Sequence, residues 1–221
     1  MSKVIVGNWK MNGNLSLVDE FAQNLDECVI LGIPSVFIAY ANLKNPSLQI
    51  AAQDCSIYPD FGAHTGEISA KMLAELGCKY VIVGHSERRR TSNFDTPQNV
   101  FAKLKNLVTC GMKAILCVDE SYHELLDMQT KEFLETNIDK IFIAYEPLSA
   151  IGTGNIPSLA DISATLSKIK QAYLGMKTLY GGSVNLSNAK EILSIDEVDG
   201  VLIGGASLKL DELNEIAIIA A

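Results

Sequence analysis

The sequence predicts an α/β protein in which eight parallel strands close into a single (β/α)8 barrel spanning residues 1–221. Eight short apolar runs recur along the chain, segments of helical character lie between them, and no linker or change in composition divides the chain. Strands that alternate with helices pair in parallel through crossovers. Eight units favour a closed barrel over an open six-stranded dinucleotide fold, which would also need a GxGxxG turn after a strand. The glycine pairs of this chain do not continue into that pattern.

The predicted strands are short runs rich in branched and aromatic side chains. Such runs suit strands that are buried on both faces. They cover Val4–Gly7, Val36–Tyr40, Gln49–Gln53, Tyr80–Gly84, Ala114–Val118, Ile141–Tyr145, Thr178–Tyr180 and Gly200–Ile203.

The predicted helices follow from helical spacing of apolar residues and from cap residues. Gly77 and Gly111 each end a helical segment, Pro97 opens one, and Ser158 with Asp161 resembles a capping box. The predicted helices cover Leu15–Cys28, Ile68–Leu76, Pro97–Cys110, Glu120 to about Asn137, Leu159–Leu174, Ser187–Leu193 and Leu208–Ile219.

Charge and composition exclude several classes of partner. The net charge is −8, and the basic residues cluster only at positions 88–90, which argues against a nucleic-acid or anionic-membrane surface. The N-terminal hydrophobic run is too short for a signal-peptide core and no window reaches a membrane span, so we expect a cytoplasmic protein. The five cysteines are never spaced as CxxC, so we expect reduced thiols, mostly buried, with neither a disulfide nor a metal role.

The sixth predicted strand, Ile141–Tyr145, ends in a carboxylate. Glu146 follows it directly, and Pro147 then stops the strand before a loop rich in Gly, Ser and Thr. In parallel α/β folds, ligands bind at the carboxyl ends of strands, so Glu146 is a candidate base. A single Glu at a strand end is more often a surface residue that caps the next turn.

Other strand ends supply complementary groups. Taken singly, Lys10 is more often a solvated surface charge and His85 a structural histidine. The glycine-rich loops after strands seven and eight lie where phosphate usually binds in this fold, which predicts a small phosphorylated substrate. A base, an imidazole, an ammonium and a phosphate cradle together suit proton abstraction next to a carbonyl. These groups are Asn8, Lys10, His85, Glu146, Gly181, Gly182, Ser183, Gly204 and Gly205.

Seven sequence blocks resemble the triosephosphate isomerase family. They run from the first strand to the last in the order typical of that family, and no single block decides the resemblance. They are GNWKMN (Gly7–Asn12), AAQD (Ala51–Asp54), AHTGEIS (Ala63–Ser69), VIVGHSERR (Val81–Arg89), AYEPLSAIGTG (Ala144–Gly154), YGGSV (Tyr180–Val184) and GVLIGGASL (Gly200–Leu208).

The resemblance implies a TIM barrel that interconverts dihydroxyacetone phosphate and glyceraldehyde 3-phosphate through an enediolate, without metal or organic cofactor. Glu146 would shuttle the proton, and His85 would act as a neutral electrophile because a helix begins at Ser86. Lys10 would neutralise developing charge beside Asn8, with its ammonium positioned by Glu87. Phosphate contacts would come from Gly152, Ser183, Gly204 and Gly205.

The resemblance also implies a lid, from Pro147 to about Pro157, and a homodimer in which Thr65 reaches the catalytic site of the partner. The chain departs from the family at four places. Ser149 replaces the usual Trp, Asn155-Ile156-Pro157 replaces a small flexible end of the lid, Asp119 replaces Gly, and His64 stands where an aromatic residue is common. The chain is also shorter than most relatives, and compact spacings after the second, fifth and sixth strands predict shortened outer helices.

Two other interpretations remain open at this point. A phosphate-binding barrel of the epimerase or lyase kind would share the loops after strands seven and eight, but it would not need Lys10, His85 and Glu146 together. A non-catalytic barrel retained as a scaffold would be expected to have lost at least one of the three. All three residues are present.

Overall fold

Eight parallel strands form a closed barrel in which each strand pairs with its neighbours along the chain and the last pairs with the first. The computed structural model describes residues 3–92, 95–121, 128–150, 156–173 and 175–221. The strands are β1 (Val4–Asn8), β2 (Val29–Ile33), β3 (Gln49–Ala52), β4 (Tyr80–Val83), β5 (Lys113–Val118), β6 (Ile141–Tyr145), β7 (Lys177–Tyr180) and β8 (Gly200–Ile203). The predicted barrel is therefore confirmed.

Helices surround the barrel. Within the described residues they are α1 (Leu15–Asn24), α2 (Ser35–Lys44), α3 (Ala70–Glu75), α4 (Ser86–Ser92), α5 (Pro97–Thr109), α6 (Met128–Thr136), α7 (Leu159–Ala172), α8 (Leu186–Leu193) and α9 (Leu210–Ala220), with a 3-10 turn at Gly205–Leu208. The helices α1, α2, α3 and α8 have ten residues or fewer, below the mean helix length of about 11–12 residues. None of the described helices has the length and apolar character needed to cross a bilayer.

The core has two layers. Side chains inside the barrel form one cluster, and a larger cluster fills the space between the strands and the helices. The inner cluster consists of Val6, Ile30, Ala51, Ile82, Ile115, Cys117, Phe142, Ala144, Leu179 and Leu202. Because both faces of every strand are covered, continuous apolar runs are required, which is why the runs were recognisable in the sequence. The five cysteines are all free thiols, and three of them, Cys55, Cys78 and Cys117, are buried.

The predicted second strand is wrong. Val36–Tyr40 lies within helix α2. The strand is the earlier run Val29–Ile33, which begins directly after the predicted first helix, Leu15–Cys28. Gly32 made that run a weak strand signal. The glycine is needed there because a Cβ at this position would lie 2.9 Å from the carbonyl oxygen of Gly7 on β1.

Candidate active site

A cavity of about 320 Å³ opens at the carboxyl ends of the strands. It collects most of the site residues that the sequence predicted from separate strand ends. Its lining comprises Asn8, Lys10, His85, Glu146, Gly181, Ser183, Val184, Asn185, Leu202, Gly204, Gly205 and Ala206. Closure of the parallel barrel thus brings a carboxylate, an imidazole, an ammonium and two backbone-rich loops to one place.

Glu146 and His85 form a buried pair at the base of this cavity. Oε1 of Glu146 lies 3.0 Å from Nε2 of His85, and the two residues are 3% and 5% exposed. Oε2 of Glu146 has no hydrogen-bond partner among the described residues. The side chain packs directly on Gly181, where a Cβ would lie 2.8 Å from Cγ of Glu146. Any side chain at position 181 would therefore displace the carboxylate of Glu146.

The hydrogen bonds of His85 fix the tautomer of its ring. The backbone N–H of Glu87, at the start of α4, donates to Nδ1 at 3.2 Å. An accepting Nδ1 carries a lone pair, so the proton of the neutral ring is on Nε2. That N–H faces Oε1 of Glu146 and is placed to donate to an oxygen in the cavity.

Lys10 lies at the cavity mouth on a strained loop. Its backbone has φ = +54°, a left-handed conformation unusual for a residue with a side chain. The backbone N–H donates to Oδ1 of Asn8 at 3.0 Å, and Nζ lies 2.5 Å from Oε1 of Glu87. Nε2 of Gln53 donates to the carbonyl oxygen of Lys10 at 2.9 Å. The loop therefore keeps its strained shape through side-chain hydrogen bonds from two strands.

The opposite side of the cavity is built mainly from backbone. Ser183 also has a left-handed backbone, with φ = +47°, and its hydroxyl donates to the carbonyl oxygen of Ala150. Gly204 and Gly205 lead into the 3-10 turn, which is fixed by the hydroxyl of Ser207 donating to the carbonyl oxygen of Gly204 at 2.7 Å. Gly152, a predicted phosphate ligand, lies outside the described residues.

Cys117, on β5, is buried near the carboxylate of Glu146. Burial raises the pKa of its thiol well above the ordinary value, and both the charge of Glu146 and a hydrogen bond to it add to the shift. The thiol therefore stays protonated and can donate to the carboxylate. Sequence reasoning missed Cys117 because the cysteines were treated only as buried thiols. It also missed Gln53. The position of Gln53 at a strand end was the available signal for that residue.

A second cavity, of about 420 Å³, lies beside the first on the outer side of Lys10. Met11, Gln53, Glu87 and Arg88 are among its lining residues. Thr65, predicted to reach a partner subunit, lies in an exposed turn of the segment between β3 and α3.

The comparison with known proteins agrees with this geometry. The model of the family described as triosephosphate isomerase matches residues 3–220. The chain belongs to the triosephosphate isomerase family. The predicted family and isomerase activity are thereby confirmed, and both fit a barrel whose strand ends carry a buried carboxylate–imidazole pair.

Curated triosephosphate isomerases are similar to this chain over nearly its whole length. The protein from Francisella philomiragia is 36% identical over an alignment of 245 positions, gaps included, which covers 98% of this chain and 96% of the relative. The protein from Francisella tularensis subsp. novicida is 38% identical with the same coverage. The protein from Prosthecochloris aestuarii is 39% identical over an alignment of 250 positions, which covers 99% of this chain and 97% of the relative.

Proposed function

We propose that this triosephosphate isomerase interconverts dihydroxyacetone phosphate and D-glyceraldehyde 3-phosphate through an enediolate, with Glu146 as the base. The observation that carries the proposal is the buried Glu146–His85 pair, with a contact of 3.0 Å, in a cavity that Lys10 also lines. A single carboxylate that removes a proton from one carbon and returns it to the adjacent carbon requires no bound cofactor.

Glu146 takes a proton from C1 of the ketose phosphate. Oε2 is the oxygen that we expect to take this proton, because it is buried and has no hydrogen-bond partner among the described residues. His85 donates its Nε2–H to the carbonyl oxygen, so charge that develops on this oxygen is stabilised as the C–H bond breaks. The Nε2 proton of His85 passes to the C2 oxygen, and the ring recovers a proton from the C1 hydroxyl. The protonated carboxyl returns its proton to C2, which gives the aldose phosphate. This division of roles is the established one for the triosephosphate isomerase family.

Lys10 and the backbone-rich loops hold the remaining charge of the substrate. Lys10 lines the same cavity as the acid–base pair, and its ammonium would balance charge on the enediolate and on the phosphate. Asn8 supports the loop of Lys10 through its side-chain oxygen. Ser183, Gly204, Gly205 and Gly152 would surround the phosphate. We expect the segment from Pro147 to about Pro157, of which residues 151–155 lie outside the described residues, to act as a lid that excludes water from the enediolate.

The test is an assay of the purified protein on glyceraldehyde 3-phosphate, coupled to consumption of the ketose product. Glu146→Gln should lower kcat by about a hundredfold to ten-thousandfold, since it removes the base and keeps the shape. Inhibition by inorganic phosphate should be nearly unchanged. Glu20→Gln, on the exposed side of α1, is the matched control and should behave as wild type. A Glu146→Gln protein that retains most of its activity would refute the mechanism.

The same assay separates the alternatives. A phosphate-binding epimerase or lyase would bind inorganic phosphate at the loops after β7 and β8 but would not form dihydroxyacetone phosphate. A non-catalytic barrel would show no turnover of either triose phosphate.

We also propose a homodimer in which the exposed turn at Thr65 enters the 420 Å³ cavity of the partner subunit. Three features support it: Thr65 is exposed, Met11 at the cavity is 96% exposed, and Phe61 in the same loop is 59% exposed. Apolar side chains at that exposure are typical of an interface. Thr65→Arg should shift sedimentation toward the monomer and lower specific activity at nanomolar concentration. A wild-type monomer that is fully active under those conditions would contradict the proposal.

The cytoplasm is the proposed location, with no nucleic-acid or membrane partner. Support comes from the net charge of −8 and from the family, which belongs to glycolysis and gluconeogenesis. Subcellular fractionation with an antibody to the chain tests it; recovery in a membrane fraction would contradict it.

A further inference from the structure

Arg89, on α4, contacts three residues at the ends of two neighbouring strands, β4 and β5, near the acid–base pair. One nitrogen of its guanidinium, Nη1, donates to the carbonyl oxygen of Gly84 and, at 2.8 Å, to that of Cys117. The other, Nη2, lies 2.6 Å from Oδ2 of Asp119. The side chains of Arg89 and Asp119 are only 15% and 8% exposed, so solvent screens this ion pair weakly.

Each of these contacts leads to one partner of the acid–base pair. Gly84 is the residue before His85. On the other strand, Val118, the residue between Cys117 and Asp119, accepts the backbone N–H of Glu146 at 2.8 Å. The guanidinium of Arg89 therefore connects the backbone next to His85 with strand β5, which is hydrogen-bonded to the backbone of Glu146.

Asp119 is itself held from its other oxygen. The backbone N–H and the hydroxyl of Ser121 donate to Oδ1 at 2.9 and 2.6 Å. Burial acts to raise the pKa of Asp119, but the hydrogen bonds from Ser121 and Arg89 outweigh it and lower the pKa below its ordinary value. The carboxylate is therefore charged at neutral pH and matches the guanidinium. The next residue, Glu120, accepts the backbone N–H of Leu148, two positions beyond Glu146, at 3.2 Å.

We propose that Arg89 and Asp119 are positioning residues for proton transfer: together they set the placement of His85 relative to Glu146. This inference rests on the proposed function of that pair. Within the described part of the chain, the hydrogen bonds and ion pairs of Arg89 and Asp119 do not involve the phosphate loops at Ser183 and Gly204. The effect should therefore fall on the proton-transfer step and not on phosphate binding. Asp119 stands where the family usually has Gly, so its part of this arrangement is a feature of this chain.

Kinetics of Arg89→Lys and Asp119→Asn test the proposal. Lysine keeps the charge but lacks the fork of donors that contacts Gly84, Cys117 and Asp119 at once. We expect a fall in kcat of about tenfold to hundredfold, since small misplacements of reacting groups have effects of this size. Asp119→Asn removes the charge and replaces one accepting oxygen with an amide donor at nearly the same size, and we expect a loss of about threefold to tenfold. KM and the inhibition constant of inorganic phosphate should stay within about twofold of wild type. Asp19→Asn, which breaks a 2.8 Å ion pair with Lys44 on the outside of the barrel, should leave kcat unchanged.

A kinetic isotope effect separates positioning from general loss of structure. With substrate deuterated at the transferred position, the primary effect on kcat should be larger in both variants than in wild type, because proton transfer becomes more strongly rate-limiting. Partial unfolding would lower the active fraction and leave the isotope effect unchanged.

Two results would overturn the inference: kcat within twofold of wild type in Asp119→Asn, or equal losses of turnover and phosphate affinity in both variants. If Arg89→Lys does not fold, Asp119→Asn decides, since it is nearly the same size as the native residue. Failure of the proposed function is distinguishable, because wild type itself would then show no isomerase activity.

Discussion

The tetrapeptide Phe-Ile-Ala-Tyr occurs twice in this chain, once as a helix and once as a strand. Residues 37–40 lie in α2, whereas residues 142–145 lie in β6. Both copies follow a branched residue, Val36 or Ile141. The next position differs: it is Ala41 in the helix and Glu146 after the strand.

The two copies differ in what surrounds them. In β6 all four residues are buried, with Phe142 and Ala144 inside the barrel and Ile143 and Tyr145 against the helices. In α2 only Ile38 is fully buried, and Ala39 is exposed. Pro34 opens α2 and cannot continue a central strand, and the polar residues Asn42 and Lys44 follow the apolar run. A four-residue pattern therefore states only that a segment is apolar, and its flanks and its neighbours in space decide its conformation.

The largest difference between the copies is expected for the phenylalanines. Phe142→Ala opens a cavity inside the barrel and should lower the free energy of unfolding by about 3–5 kcal/mol. Phe37→Ala should lower it by about half as much, since Phe37 is only partly buried. Urea unfolding followed by circular dichroism measures both. Equal losses would show that the barrel interior is no more tightly packed than the outer helix layer.

Enlarging the alanines sharpens the same comparison. Ala144 is 0% exposed inside the barrel, so Ala144→Leu should overpack it and lower the free energy of unfolding by about 1–3 kcal/mol. Ala39→Leu lies on an exposed helix face and should change it by less than about 0.5 kcal/mol. Thermal unfolding of the two variants side by side gives the answer, and a costly Ala39→Leu would mean that something covers that face.

The tyrosines should give the smallest effects, and at opposite ends of the pH range. Hydrogen bonds from Lys44 and then Tyr40 lower the pKa of Asp19. A lowered folded pKa contributes stability above the ordinary value of 3.8, which is lost as the pH falls. Tyr40→Phe should therefore be less stable than wild type at pH 7, with the difference fading on acidification.

Burial, and then the charge of Glu120, raise the pKa of Tyr145. A raised folded pKa contributes stability below the ordinary value of 10.0, which is lost as the pH rises. Wild type should lose stability above pH 10 that Tyr145→Phe keeps. Urea unfolding across the pH range tests both variants; the same pH dependence in both would contradict the comparison.

The sequence predicted the barrel because burial on both faces leaves a strong apolar signal in seven of its strands. The second strand was missed because Gly32 weakens that signal, and the need for glycine arises from the backbone of Gly7 on a neighbouring strand. That approach exists only once the barrel has closed.

The site divides in the same way. Asn8, Lys10, His85 and Glu146 follow strand ends, so topology alone brings them to one cavity. The contacts of Gln53, Cys117 and Arg89 depend on register and on side-chain reach between strands, such as the pairing of Cys117 with Ala144. No local pattern encodes these contacts, so sequence reasoning could not find their roles.

At Lys10, the requirements of catalytic activity and of thermal stability conflict, because the residue has a left-handed backbone. A conformation of this kind costs about 1–3 kcal/mol for a residue with a side chain, and glycine adopts it without strain. Laboratory evolution for heat resistance alone would therefore favour replacement of Lys10, whose ammonium the proposed mechanism uses. Selection schemes for this enzyme should couple survival to turnover, or hold position 10 fixed.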